Sequence, residues 1–152
     1  MSSSPTHYLS QISPTPLVPV ALDPGGRAIH CKLEFLNPSG STKDRIASFI
    51  LRKALRRGDL APGGRVVEAS SGSTSISMAM VSAQLGLRFL AVMPEGVSNE
   101  RSLIIRAFGG EVLLSPRAEG LAGAVRRAHE ESKEGAYFTR QFENPEDRKS
   151  VV

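Results

Sequence analysis

An α/β fold on a parallel sheet is what this 152-residue sequence predicts, and three observations carry the prediction. Short apolar runs alternate with longer amphipathic ones. The connections between them are brief and rich in Gly, Pro and Ser. One run, Phe89-Leu90-Ala91-Val92-Met93, is continuously apolar, as expected of a strand buried on both faces. Strand–helix alternation with short connections makes the strands parallel, because each helix carries the chain back across the sheet.

Taken in order, Leu17 to Val20 and Ile29 to Leu36 read as strands, split by the turn Asp23-Pro24-Gly25-Gly26. A helix follows over 44–57. Ile46, Ile50 and Leu51 recur at helical spacing, and Gly58 can adopt the left-handed conformation that ends a helix. Pro62-Gly63-Gly64 turns into the strand Val66 to Ala69. Ser73 or Thr74 then opens a helix to about Leu85, closed by Gly86. The buried strand 89–93 comes next. Ser98 reads as the N-cap of the following helix, which stops at Gly109-Gly110. Arg101 stands where a capping box would have Glu, so no box forms. Glu111 to Leu114 is a strand, Ala118 to Ser132 a helix, and Tyr137 to Thr139 a short last strand.

A hydrophobic content of 40% and a charged content of 22% describe an ordinary water-soluble domain, and the length is enough for one real core. The net charge of +4 comes partly from Arg52-Lys53 and Arg56-Arg57, on the polar side of the first helix. With no Trp and two Tyr, the basic residues lack the aromatic partners of a nucleic-acid surface. They read as a solvated helix face, with a weaker reading as an attractor of small anions. The lone Cys31 has no partner for an intramolecular disulfide and reads as a small buried residue, so a reducing compartment fits. No run approaches membrane-spanning length, and Met1 to Ser13, expected to be flexible, has no apolar core of a signal peptide. The expectation is a cytoplasmic protein with no nucleic-acid or membrane partner.

The chemistry concentrates in Asn37-Pro38-Ser39-Gly40-Ser41-Thr42-Lys43-Asp44-Arg45. A strand-like stretch feeds a Pro/Gly/Ser loop, and the loop presents Lys43 at the start of a helix. Acidic groups are preferred there, because the helix dipole is positive at that end. The same field, with any desolvation, favours the neutral amine, which is the form that attacks an aldehyde. A second loop, Ser70-Ser71-Gly72-Ser73-Thr74, joins a strand to a helix N-terminus. Five small or polar residues in succession there make an anion site at the carboxyl end of a strand.

The nine-residue string resembles the cofactor-lysine motif of the cysteine synthase and cystathionine β-synthase family. Four further stretches agree: Thr15-Pro16-Leu17-Val18, Lys32-Leu33-Glu34, Glu68 to Thr74, and Gln141-Phe142-Glu143-Asn144-Pro145, with Met93-Pro94-Glu95 between them in family order. The resemblance runs from about Pro14 to Pro145. It implies the three-layer, parallel-sheet N-terminal domain of the tryptophan-synthase-β-like fold over 14–145. It also implies pyridoxal 5'-phosphate as cofactor, carried by Lys43. Ser70, Ser71, Gly72 and Thr74 would hold the carboxylate of an amino-acid substrate, with Gln141 reaching in. Ser73 stands where the family usually has an Asn facing the cofactor ring, and Ser75 where it usually has Gly. The implied reaction is β-replacement: an activated, O-acetylserine-like serine loses its β-substituent and a sulfur donor takes its place, giving L-cysteine. Related lyases, namely cystathionine β-synthase or a serine/threonine dehydratase, are alternatives, although Thr42 and Asp44-Arg45 depart from the dehydratase pattern. A non-catalytic anion-binding module, or an inactive truncated fragment, is the reading from another class.

Family chains are roughly twice this long. Their second half supplies a Gly/Thr-rich phosphate loop and a Ser or Thr facing the ring nitrogen, and nothing in this sequence matches that loop. The expectation is therefore an N-terminal half with its second domain missing, from a protein that is a homodimer at full length. Residues 146–152 leave the family pattern. The six residues from Asp147 to Val152 can be encoded by a string matching a short-read sequencing adapter followed by a stop codon, which reads as an artefact. A native stop codon after Val152 at the locus would overturn that. In such a fragment Leu17, Val18, Val20, Ile29, Leu33 and Phe35 would be left partly exposed.

Overall fold

The computed structural model describes residues 8–12, 14–23 and 25–146, so the expectations for most of the N-terminal segment and for 147–152 lie outside the described residues. The order of elements is β1 (Leu17–Ala21), β2 (Ala28–Lys32), α1 (Lys43–Arg57), β3 (Arg65–Ala69), α2 (Ser73–Gln84), β4 (Arg88–Pro94), α3 (Asn99–Ala107), β5 (Glu111–Ser115), α4 (Gly120–Lys133) and β6 (Tyr137–Phe138). Four strands form one parallel sheet in the order β5-β4-β3-β6. The expected alternation is thus realised from α1 onward.

The sheet is covered on both faces, and its sequence shows why. Side chains alternate across a strand, so a strand between two helical layers is apolar at nearly every position. Phe89, Ala91 and Met93 of β4 join Val66 of β3 in one core, against Ile46, Ile50 and Leu51 of α1, Met78 and Val81 of α2 and Ile105 of α3. Leu90 and Val92 face the other way with Val67 and Ala69, and meet Ala124 and Ala128 of α4. Two alanines on that helix let its backbone lie close to the sheet. This makes three layers: helices α1, α2 and α3, the sheet, and α4.

The helix ends follow local chemistry. Gly58 has φ of 79° and its N–H donates to the carbonyl of Leu55 at 3.3 Å, which is the left-handed terminator expected of it. The strand expected over 29–36 is shorter than the sequence reading. It ends at Lys32, and Glu34–Leu36 form one 3-10 turn. The side chain of Glu34 explains the break. Its carboxylate is drawn to Arg45 and Asn37, and the Asn37 N–H closes on the Glu34 carbonyl at 3.2 Å.

β1 and β2 do not join the parallel sheet. They pair with each other, antiparallel, from Leu17 opposite Lys32 to Ala21 opposite Ala28. Leu17, Val20, Ile29 and Phe35 are exposed, and Val18 and Leu33 half-buried. Cys31 is half-buried too, short of the burial expected from its sequence context, because little covers the hairpin. No described helix is long and apolar enough to cross a membrane.

Candidate active site

Parallel strands put all their carboxyl ends on one side. Three chain segments therefore meet there: the loop 70–74 after β3, the segment 95–98 after β4, and Thr139 to Gln141 after β6. Lys43 is the first residue of α1 and is half-buried. Its N–H donates to the hydroxyl of Ser41 at 3.0 Å, which ties the lysine back to its own loop.

What joins the lysine loop to the second loop is Asp44, a residue to which the sequence reading gave no role. It is fully buried. One carboxylate oxygen accepts the N–H of Ser39 at 2.7 Å, and the other accepts the hydroxyls of Ser39 and, at 2.6 Å, of Ser77. The two serine hydroxyls lie 3.0 Å apart. Ser77 is on α2, one turn after Ser73, and residues four apart share a helix face. Lys43 and Ser73 are thereby brought to the same end of the α1–α2 pair. The signal in the sequence was an Asp beside the lysine, and alone it could not show that its partner lay 33 residues away.

The loop itself is braced from within. The Ser70 N–H donates to the Val92 carbonyl at 3.2 Å, its hydroxyl accepts from the Gly72 N–H at 3.2 Å, and its carbonyl accepts the hydroxyl of Ser75 at 3.2 Å. Ser75, where the family usually has Gly, is fully buried and so has a definite use. Ser71 and Ser73 are exposed, while Ser70 and Thr74 are buried. Among the described residues, the N–H groups of Ser73 and Thr74 at the start of α2 have no hydrogen-bond partner, so the loop offers donors to an anion.

Gln141 lies beside this loop but is already engaged. Its side-chain nitrogen donates to the Ala69 carbonyl at 3.1 Å and its backbone N–H to Glu68 at 3.2 Å. Glu68, fully buried on β3, also accepts the Ala69 N–H at 2.7 Å and the hydroxyl of Thr139. One carboxylate thus fastens the segment after β6 to the strand that leads into the loop. The backbone of Arg140, between Thr139 and Gln141, has φ of 51°, in the left-handed region. Two N–H groups, from Glu143 at 2.9 Å and Asn144 at 2.8 Å, converge on its carbonyl.

A third polar centre holds the hairpin to the lysine helix. Glu34 accepts two bonds from Arg45, at 2.8 and 3.0 Å, with further bonds from Thr15 and Asn37. The Arg45 bonds come first in holding the Glu34 carboxyl far below the usual carboxylate range, against the opposing push of burial. Glu34 in turn raises Arg45. The motifs around Thr15, Lys32-Leu33-Glu34 and Arg45 are thus one cluster in space.

A model of the family described as "Pyridoxal-phosphate dependent enzyme" matches residues 8–150. A cysteine synthase of Staphylococcus aureus is 40% identical over 149 residues, which is 95% of this chain and 48% of that protein. Among solved structures, an O-ureido-L-serine synthase is similar at 39% identity and a TM-score of 0.91, covering 95% of this chain and 46% of its own. An O-acetylserine dependent cystathionine beta-synthase of Helicobacter pylori is 31% identical with a TM-score of 0.90, over 98% of this chain and 51% of its own. A cysteine synthase of Entamoeba histolytica is 32% identical with a TM-score of 0.88, over 99% and 48%. The chain spans about half the length of the relatives it matches. The chemistry of the donors fits a cofactor of this kind in part. An amine stands at one helix N-terminus, hydroxyls and free N–H groups at the next. In the lysine motif the buried Oδ1 of Asn37 has no hydrogen-bond partner among the described residues. With a family match over nearly its whole length, this chain belongs to the pyridoxal-phosphate dependent enzymes.

Proposed function

We propose that this chain supplies the lysine and carboxylate-binding parts of a pyridoxal-phosphate site that makes L-cysteine by β-replacement on an O-acetylserine-like serine with a sulfur donor. The observation that carries the reading is the Ser39–Asp44–Ser77 junction, which brings the Lys43 loop and the Ser70–Thr74 loop to one place. Three relatives support it by their products. Cysteine, cystathionine and O-ureidoserine are all alanines bearing a heteroatom on the β-carbon. The nucleophile differs among them, and the cystathionine product is the second reading that these names favour.

In this reading Lys43 holds the cofactor and then moves the proton at the substrate's α-carbon. The cofactor, when bound, supplies the electron sink. Ser70, Ser71, Gly72 and Thr74 bind the substrate carboxylate at the α2 N-terminus, with Gln141 reaching in from the segment after β6 while its side-chain nitrogen holds the Ala69 carbonyl. Ser73 would stand toward the cofactor ring in the place of the usual Asn, with a shorter side chain. Nothing in this sequence matches the family's loop for the cofactor phosphate. Binding by this chain alone is therefore expected to be weak, and the full reaction is proposed for the whole site.

The test suits weak binding. The chain is mixed with pyridoxal phosphate, reduced with borohydride and mapped by mass spectrometry, beside Lys43→Ala. The expected result is label on Lys43 well above that on Lys32, Lys53 and Lys133, with a faint visible band that vanishes in the variant. Equal labelling of all lysines would overturn the assignment. An intense, stoichiometric band would overturn the expectation of weak binding.

A further inference from the structure

We propose that Arg101 is a positioning residue for the loop Ser70–Thr74, latching it from α3. The inference rests on the carboxylate-binding reading of that loop, and names a group that the motif reading left without a role. Arg101 is the third residue of α3, where Glu would complete a capping box and where a cation opposes the positive end of the helix. A local rule broken in this way calls for a gain elsewhere. The gain is a bond of 2.5 Å from Nη1 of Arg101 to the carbonyl of Ser71, thirty residues back in the chain.

That carbonyl is the critical one. A trans peptide points its C=O and the next N–H in opposite directions. Holding the Ser71 oxygen toward α3 turns the Gly72 N–H inward, where it meets the Ser70 hydroxyl at 3.2 Å. Were the peptide to flip, a carbonyl oxygen would face the bound carboxylate and repel it. The rest of the loop is braced through Ser70 and Ser75, and Gly72 accepts the Ser75 N–H at 3.2 Å. Ser71 sits at the exposed tip, and among the described residues its bond to Arg101 is its only hydrogen bond. A glycine follows it, so the peptide between them is the easiest in the loop to turn. The guanidinium also adds positive charge at the mouth of an anion site, beside the α2 N-terminus.

Amide hydrogen exchange on the whole chain tests the latch without any cofactor. Arg101→Met is expected to speed exchange at residues 71–74 by roughly threefold to tenfold, the range for losing one charge-assisted bond at an exposed site. Amides of β4 should be unchanged, which shows that the fold is intact. Arg101→Lys, which can still donate one bond, should stay within about twofold of the parent. Arg106→Met, on the last turn of α3, should do nothing. Exchange at 71–74 in Arg101→Met equal to the parent, with β4 intact, would overturn the proposal. Titration with acetate separates the two claims. If acetate shifts the Gly72 amide in the parent, Arg101→Met should weaken that shift several-fold, and an equal response would count against the latch. If acetate shifts nothing in the parent, the carboxylate reading of the loop falls, while the exchange result still decides the latch.

Discussion

β4 and the β1–β2 hairpin are written in much the same alphabet, and the structure treats them in opposite ways. In β4, Phe89, Leu90, Ala91, Val92 and Met93 are all buried, because helices cover both faces. In the hairpin, Leu17, Val20 and Ile29 are exposed, with Leu17 at 58% and Ile29 at 52%. Apolar composition sets what a strand can gain from burial. Whether it gains depends on another surface being there. The hairpin is held instead by polar bonds at its ends, through Thr15, Lys32, Glu34 and Arg45. The contrast makes the two regions respond differently to the same kind of change.

The largest effect is expected in the parallel core. Phe89→Ala should cost about 3–5 kcal/mol in denaturant unfolding, because the vacated space cannot close between packed layers. A cost below about 1 kcal/mol would mean that β4 is not packed on both faces. Next comes the junction of the two loops. Asp44→Ala strands three donors in a buried place and should cost about 2–4 kcal/mol. Asp44→Asn should recover most of this, since a turned amide offers its oxygen to the Ser39 N–H and its nitrogen to the two hydroxyls. Equal losses in both variants would show that charge, not hydrogen bonding, matters there.

The polar anchor of the hairpin is expected to be weaker and dependent on pH. Glu34→Gln should lower stability by about 1–2 kcal/mol at neutral pH. The sign follows from the lowered carboxyl of Glu34. A carboxylate depressed in the folded state stabilises above its ordinary value of 4.5 and loses that contribution as the pH falls below it. The gap between parent and variant, followed by urea unfolding from pH 7 to pH 3, should therefore narrow on the acid side. A gap that widened there would break the assignment. The smallest effect on stability belongs to the exposed face. Val20→Ser with Ile29→Ser should change unfolding by less than about 0.5 kcal/mol, yet reduce light scattering of concentrated protein, because the two stand opposite each other and form one exposed apolar pair.

How much of this was legible beforehand differs by element. The parallel sheet, the four helices and their Gly stops could be read from periodicity, since both faces of the sheet had to be covered and the sequence pattern said so. Strand β2 was read too long, because Lys32 to Leu36 looks extended until Arg45 pulls Glu34 into a turn. That force comes from a residue eleven positions away, which a local window does not weigh. The loop Ser70–Thr74 was recognised from its residue types. The services of Asp44, Glu68, Ser75 and Arg101 were not, because a hydrogen bond needs a partner, and Asp44, Glu68 and Arg101 each have a partner 30 or more residues off.

By itself, then, the sequence determined which residues could bear the chemistry, Lys43 among them, and which strands had to be buried. Both are properties of single residues and of short-range period. The tertiary structure alone decided that Asp44 meets Ser77, that Glu68 meets Thr139 and Gln141, that Arg101 reaches Ser71, and that the hairpin stands apart from the sheet. These pairings depend on where parallel strands bring distant loops, and that geometry exists only after the sheet has closed on its helices.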